Sequence, residues 1–300
     1  MVLGRTSGPR LLVYLLYAVL LTSVLLVVRF PREKVLAYAE KKIEASFPGS
    51  KVNLSRLSYG FPLSAHLGRL QVADRERDED ILLLEDITVI PKLKGLGFAY
   101  QVTGEMLGGG FATELSLSFA AKRYSLNALE LKGLDLSRSA YLAGMLRRDL
   151  QGILEFAGSY SSVLAGSGEG GASATCEGVV GIASGGFALR QPVLTLKAMD
   201  FESLDVAIDM QGGVVTLTEG VLEGSEIKAN FGGELNVADT LQSWKLDLEG
   251  GMVPSRDYLQ GNPQLVRLVE RMQRQYKKNE LPYTINGTVA NPRFRFGGKN

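Results

Sequence analysis

The chain is almost without the residues on which most site chemistry depends. It has one cysteine, Cys176, and one histidine, His66, among 300 residues. A lone cysteine excludes an intramolecular disulfide, and so small a Cys/His complement excludes a zinc cluster. A Ser-His-Asp triad would have to use His66, which stands between Ala65 and Leu67 with no partner signalled. It reads as a surface or half-buried structural histidine. Excess charge is lacking too: 33 Lys+Arg against 32 Asp+Glu leave a net +1. That gives no support for a nucleic-acid partner, which asks for a basic patch or stripe. There is no nucleophile elbow, P-loop, H-E-x-x-H or calcium loop. Gly166-x-Gly168-x-x-Gly171 has dinucleotide spacing but lies in the low-complexity stretch Ala165–Ala174, without a βαβ unit around it, and reads as a flexible loop. No catalytic, cofactor-binding or metal-binding residue is nominated, no cofactor is expected, and the chain is expected not to be an enzyme.

One long hydrophobic run is present. Leu11–Val28 holds no charge. At about 1.5 Å per helical residue it approaches a hydrocarbon core of roughly 30 Å, and a spanning segment must satisfy its own backbone, so a helix is expected. Arg29-Phe30-Pro31-Arg32 follows with no small-x-small cleavage site, which favours an uncleaved anchor over a signal peptide. The expected layout is a cytoplasmic tail at 1–10, a transmembrane anchor at 11–28, an amphipathic connecting helix at 29–49 and an exported β-rich domain at 50–300. In the connecting helix Val35, Leu36, Ala39, Ile43 and Phe47 recur at helical spacing; this stripe packs on the β body or lies on the membrane surface.

From Val52 onward the period changes to two. Glycine, 35 of 300 residues, suits many turns and bulges. Phe111, Leu115, Leu117 and Phe119 alternate with Glu114, Ser116 and Ser118; a slip between Ala128 and Leu129 predicts a bulge. Leu204, Val206, Ile208 and Met210 form one face of a strand, as do Ile227, Ala229 and Phe231, and Trp244, Leu246 and Leu248. Gly212-Gly213, Gly220, Gly224 and Gly232-Gly233 stand between these runs at hairpin spacing. The charged run Asp74–Asp80 reads as a solvated hairpin loop. Helices are predicted over Ser139–Leu150 and Asn262–Lys278, the latter capped by Asn262 with Pro263 at its first position. An echo between Ser137-Arg138-Ser139-Ala140-Tyr141-Leu142 and Ser255-Arg256-Asp257-Tyr258-Leu259 suggests two stacked units, about 50–151 and 152–300.

The fold class is therefore mainly β: one transmembrane helix, then a large antiparallel, curled sheet, groove or sandwich, with two or three amphipathic helices. An oily sheet face must be covered or left as a groove. The candidate groove lining is Leu115, Leu117, Val206, Ile208 and Trp244.

A short tail, one anchor ending in Phe30-Pro31, an amphipathic helix, a glycine-rich β body and the closing Asn286-Gly287-Thr288-Val289-Ala290-Asn291-Pro292-Arg293-Phe294 resemble the GspN family, the N components of bacterial type II secretion systems. The layout is also similar to the wider AsmA and TamB superfamily, whose members often end in a Gly-x-Val-x-x-Pro-x-Phe strand. The resemblance implies a single-pass bacterial inner-membrane protein with its bulk in the periplasm. It implies a non-enzymatic role in type II protein secretion with other secretion proteins as partners, or AsmA-like lipid transport with phospholipid as ligand. Fifteen to eighteen strands at about 4.8 Å each would extend roughly 70–85 Å.

Overall fold

The computed structural model describes residues 13–14, 17–18, 21, 32–46, 49–60, 64–75, 80–94, 97–118, 122–146, 150–163, 174–238 and 240–298. The anchor expected over Leu11–Val28 lies outside these residues, apart from Val13, Tyr14, Tyr17, Ala18 and Leu21, which are helical. So do Gly166, Gly168 and Gly171. Among the described residues no helix is long and apolar enough to cross a membrane.

Fourteen strands form a single antiparallel sheet in which every strand pairs with its neighbours in sequence. They are β1 (Ser50–Gly60), β2 (Ser64–Asp74), β3 (Asp80–Lys94), β4 (Gly97–Met106), β5 (Gly109–Ser118), β6 (Arg123–Asp135) and β7 (Leu150–Val163), then β8 (Thr175–Val193), β9 (Leu196–Gln211), β10 (Val214–Glu223), β11 (Ile227–Asn236), β12 (Lys245–Pro254), β13 (Leu281–Thr288) and β14 (Asn291–Phe296). Fourteen is fewer than the fifteen to eighteen expected, and at about 4.8 Å per strand the sheet extends roughly 67 Å. No second sheet faces the first among the described residues, so the architecture is a curled sheet and not a sandwich. It runs unbroken through both halves of the chain; residues 151 and 152, where two units were expected to meet, both lie within β7.

Helix α1 (Arg32–Ser46) precedes the sheet and lies along its first edge. Leu36, Ala39 and Ile43 pack on Val52, Leu54 and Val72. Glu44 Oε1 accepts from the Val52 amide at 3.2 Å and Glu40 Oε1 from the Leu54 amide at 2.8 Å. Edge strands expose unpaired amides that invite association with another chain. Here two carboxylates from one helix face take them up, so the stripe packs on the β body.

Local chemistry explains most of the connections. Leu107-Gly108 and Gly212-Gly213 have positive φ at both turn positions, as two-residue hairpins require. The bulge expected near Ala128 is present: its φ is 47° and the register shifts between Leu126 and Leu129. The hairpin expected over the Asp74–Asp80 run joins β2 to β3.

Three expectations need correction. The helix predicted over Ser139–Leu150 is only α2 (Ala140–Leu146), because Leu150 already begins β7. The segment before β13 holds two helices, α3 (Arg256–Gly261) and α4 (Pro263–Tyr276). Ser255 caps α3 by accepting from the Tyr258 amide, while Asn262 makes no side-chain cap to α4 and instead donates to the Tyr258 carbonyl. Gly220 and Gly232-Gly233 are not turns. Gly220 lies at a register shift within β10, and Gly233 is mid-strand in β11, where a Cβ would come within 2.2 Å of the Asp247 carbonyl oxygen.

Candidate functional site: an apolar inner face with a roofed cavity

Alternation fixes which side chains share a face. One row of cross-strand partners crosses twelve strands: Pro91, Tyr100, Leu115, Leu126, Tyr160, Cys176, Met210, Val215, Leu235, Leu246, Gly287 and Pro292. A second passes from Gly104 through Phe111, Leu131, Phe156 and Val180 to Val206. A third continues from Ile208 through Leu217, Gly233, Leu248 and Ile285 to Phe294. None of these positions carries a charge. The sheet thus has one apolar face from β3 to β14, with Leu115, Leu117, Val206 and Ile208 on it. Trp244 stands just before β12 and donates its indole N–H to the Ala238 carbonyl at 3.1 Å.

The second half of this face is curled and roofed. At Ser184, φ is 50°, and Gly185 and Gly186 follow, both buried. A Cβ on Gly185 would come within 2.2 Å of the Phe201 ring. The absence of a side chain at Gly185 leaves room for the Phe201 ring over it. Beyond this bend the end of the β8–β9 hairpin, residues 187–199, crosses over the inner face as an arm. Val193, Leu194 and Leu196 are buried against Ile227, Met252, Leu281 and Tyr283 of the sheet and Leu265 and Val269 of α4. The Tyr258 hydroxyl fastens the arm, donating to the Leu194 carbonyl and lying 3.0 Å from Thr195 Oγ1.

Between arm and sheet is a cavity of about 360 Å³. The arm contributes Phe187, Leu189, Arg190, Gln191 and Val193; the sheet contributes Leu204, Phe231, Leu248, Met252, Tyr283 and Phe294, among others. None of the five residues nominated from sequence lines it. Their strand neighbours do: Leu204 precedes Val206 on the same face of β9, and Leu246 and Leu248 follow Trp244. The signal that would have found the cavity is the Ser184-Gly185-Gly186 break in the alternation of β8, followed by an apolar run holding Arg190 and Lys197 as its charges.

Polar groups on this face are held neutral or satisfied. Burial pushes the Tyr283 phenol up to about 12, and its hydroxyl donates to the Asn230 carbonyl at 3.1 Å. Burial, with Tyr160 beside it, pushes the Tyr124 phenol up to about 12. Burial and the carboxylates of Asp209 and Glu177 raise the Cys176 thiol, which opposes thiolate formation. His66 is on the opposite face, exposed, its ring nitrogens within hydrogen-bond distance of Thr88 and Ser64 hydroxyls. Among the described residues no group of three or more His, Cys, Asp or Glu could hold a metal ion.

No protein-family model matches the chain, and no curated protein or solved structure matches it.

Proposed function

We propose that this chain is a non-enzymatic, membrane-anchored protein whose inner sheet face binds lipid acyl chains, in the manner of AsmA-like lipid transport. The anchor is Leu11–Val28 and the β body lies in the periplasm of a bacterial inner-membrane protein. The observation that carries the reading is the uncharged face running from Pro91 to Pro292 with a cavity of about 360 Å³ under its arm. Ligand pockets for apolar molecules typically fall at about 300–1,000 Å³ with mainly apolar linings. The test is native mass spectrometry of the full chain exchanged from detergent into amphipol. Acyl lipid should accompany the wild type and be lost from Leu204→Asp/Leu248→Asp, both in the cavity lining. Equal lipid content in a folded double variant sinks the reading.

A second reading, a docking component of type II secretion, is supported by the GspN-like layout and by one edge of the sheet. The Thr288/Asn291 and Thr284/Arg295 pairings turn the Phe294 and Phe296 amides of β14 away from β13. A partner strand can add there. A photo-crosslinker at Arg295 that captured a periplasmic secretion component would favour it, and crosslinks to lipid alone would count against it.

A further inference from the structure

The cavity under the arm differs from the rest of the inner face in two respects. It is small: at about 30 Å³ per water-sized group, 360 Å³ has room for about a dozen such groups. A methylene is of comparable size, so an acyl chain fits. It also carries a single charge. Arg190 is the one ionisable cation in the lining, and no acidic residue lines it.

Arg190 is held at the mouth. Its Nη1 donates to Asn291 Oδ1 at 3.4 Å, across from the arm to the first residue of β14. Among the described residues no carboxylate pairs with it. The arm and the facing β13–β14 turn bring only Lys197 and Arg293 as further charges, both cationic. A guanidinium presents a planar fork of donors that matches a carboxylate or a phosphate through two parallel bonds. Such a group at the rim of an oily cavity is complementary to a molecule with one apolar chain and one anionic head.

We propose that the roofed cavity holds an anionic acyl amphiphile, a chain of it against Leu204, Phe231 and Leu248 and its head on Arg190. This rests on the acyl-binding reading and narrows it: Arg190 sets both the polarity of the head and the direction in which the chain enters. The head is a carboxylate or a phosphate.

The full chain in amphipol is titrated with cis-parinaric acid, a fluorescent fatty acid, and with its methyl ester. Wild type should bind the acid at least tenfold more tightly than the ester. Arg190→Gln should erase that preference, bringing acid and ester to equal affinity, and Arg190→Lys should restore most of it. Lysophosphatidate is then used as a competitor. Displacement by lysophosphatidate shows that a phosphate head is accepted, and its failure assigns the head to carboxylate; both agree with the proposal. Equal affinity for acid and ester overturns the proposal, as does a preference that survives Arg190→Gln. Failure of wild type to bind either probe overturns the acyl-binding reading itself.

Discussion

Arg190 and Asn291 meet at 3.4 Å although they stand on β8 and β14, six strands apart in the sheet. In a flat sheet those strands would be about 29 Å apart. Two features bring them together: the curl of the later strands and the arm that leaves the sheet after Ser184. The contact is therefore a reporter of the closed inner face.

The bend at Gly185 should be intolerant of any side chain. Its would-be Cβ overlaps the buried Phe201 ring at 2.2 Å. Gly185→Ala is expected to lower stability by about 1–3 kcal/mol, the usual range for overpacking. Chemical denaturation checks this; Gly261→Ala, where nothing lies within 4 Å, is the control and should change little.

Tyr258 should hold the arm more than it holds the fold. The turn it grips is strained: Leu194 and Thr195 have φ of 48° and 74°, unfavourable for a β-branched residue. Tyr258→Phe removes the hydroxyl bonds to Leu194 and Thr195. Global stability should fall by only about 1 kcal/mol, while amide exchange across residues 187–199 speeds up severalfold. Unchanged exchange in the arm would show that its apolar contacts suffice.

The carboxylates on the first edge should matter as acceptors. Glu40→Ala/Glu44→Ala strips both partners from the Val52 and Leu54 amides. A loss of about 2 kcal/mol is expected, since bonds to charged acceptors exceed the ordinary net value. Glu40→Gln/Glu44→Gln keeps an acceptor oxygen at each place and should recover most of it.

Alkaline stability should depend on Tyr283. Its folded pKa of about 12 is above the ordinary 10.0, so the neutral phenol is favoured in the fold and ionisation in the unfolded chain. The stabilisation is complete below pH 10 and is lost as pH rises from 10 to 12. About 2–3 kcal/mol should disappear across that window. Tyr124 contributes in the same direction. Tyr283→Phe should flatten the slope without abolishing it, as read from denaturation midpoints at stepped pH.

Strand alternation was legible because it is local. The faces holding Leu115 and Val206, and the slip at Ala128, follow from residue order alone. Glycines were ambiguous: Gly212-Gly213 forms a turn, whereas Gly232-Gly233 serves close strand approach, and both look alike in sequence. Ser139–Leu150 read as a longer helix because Leu146 and Leu150 fit a helical stripe, yet pairing of Leu150 with Phe187 claims it for β7. The Ser184-Gly185-Gly186 break marked where the arm leaves the sheet, but the cavity itself did not follow from it. It depends on residues 187–199 folding over strands that come later in the chain, and period-two patterning carries no information about that crossing.

The two margins of the sheet are unlike, and this limits how copies of the chain can assemble. The β1 margin is covered by α1, so it cannot receive a strand. The β14 margin is open but short, with Pro292 removing one donor. A filament built by strand addition joins one margin to the other, and α1 stands over the β1 margin at the Val52 and Leu54 amides. Like can only join like, β14 to β14 about a two-fold axis, and that contact closes on itself as a dimer. The helix at the start of the body therefore sets an upper bound on polymerisation at its far end.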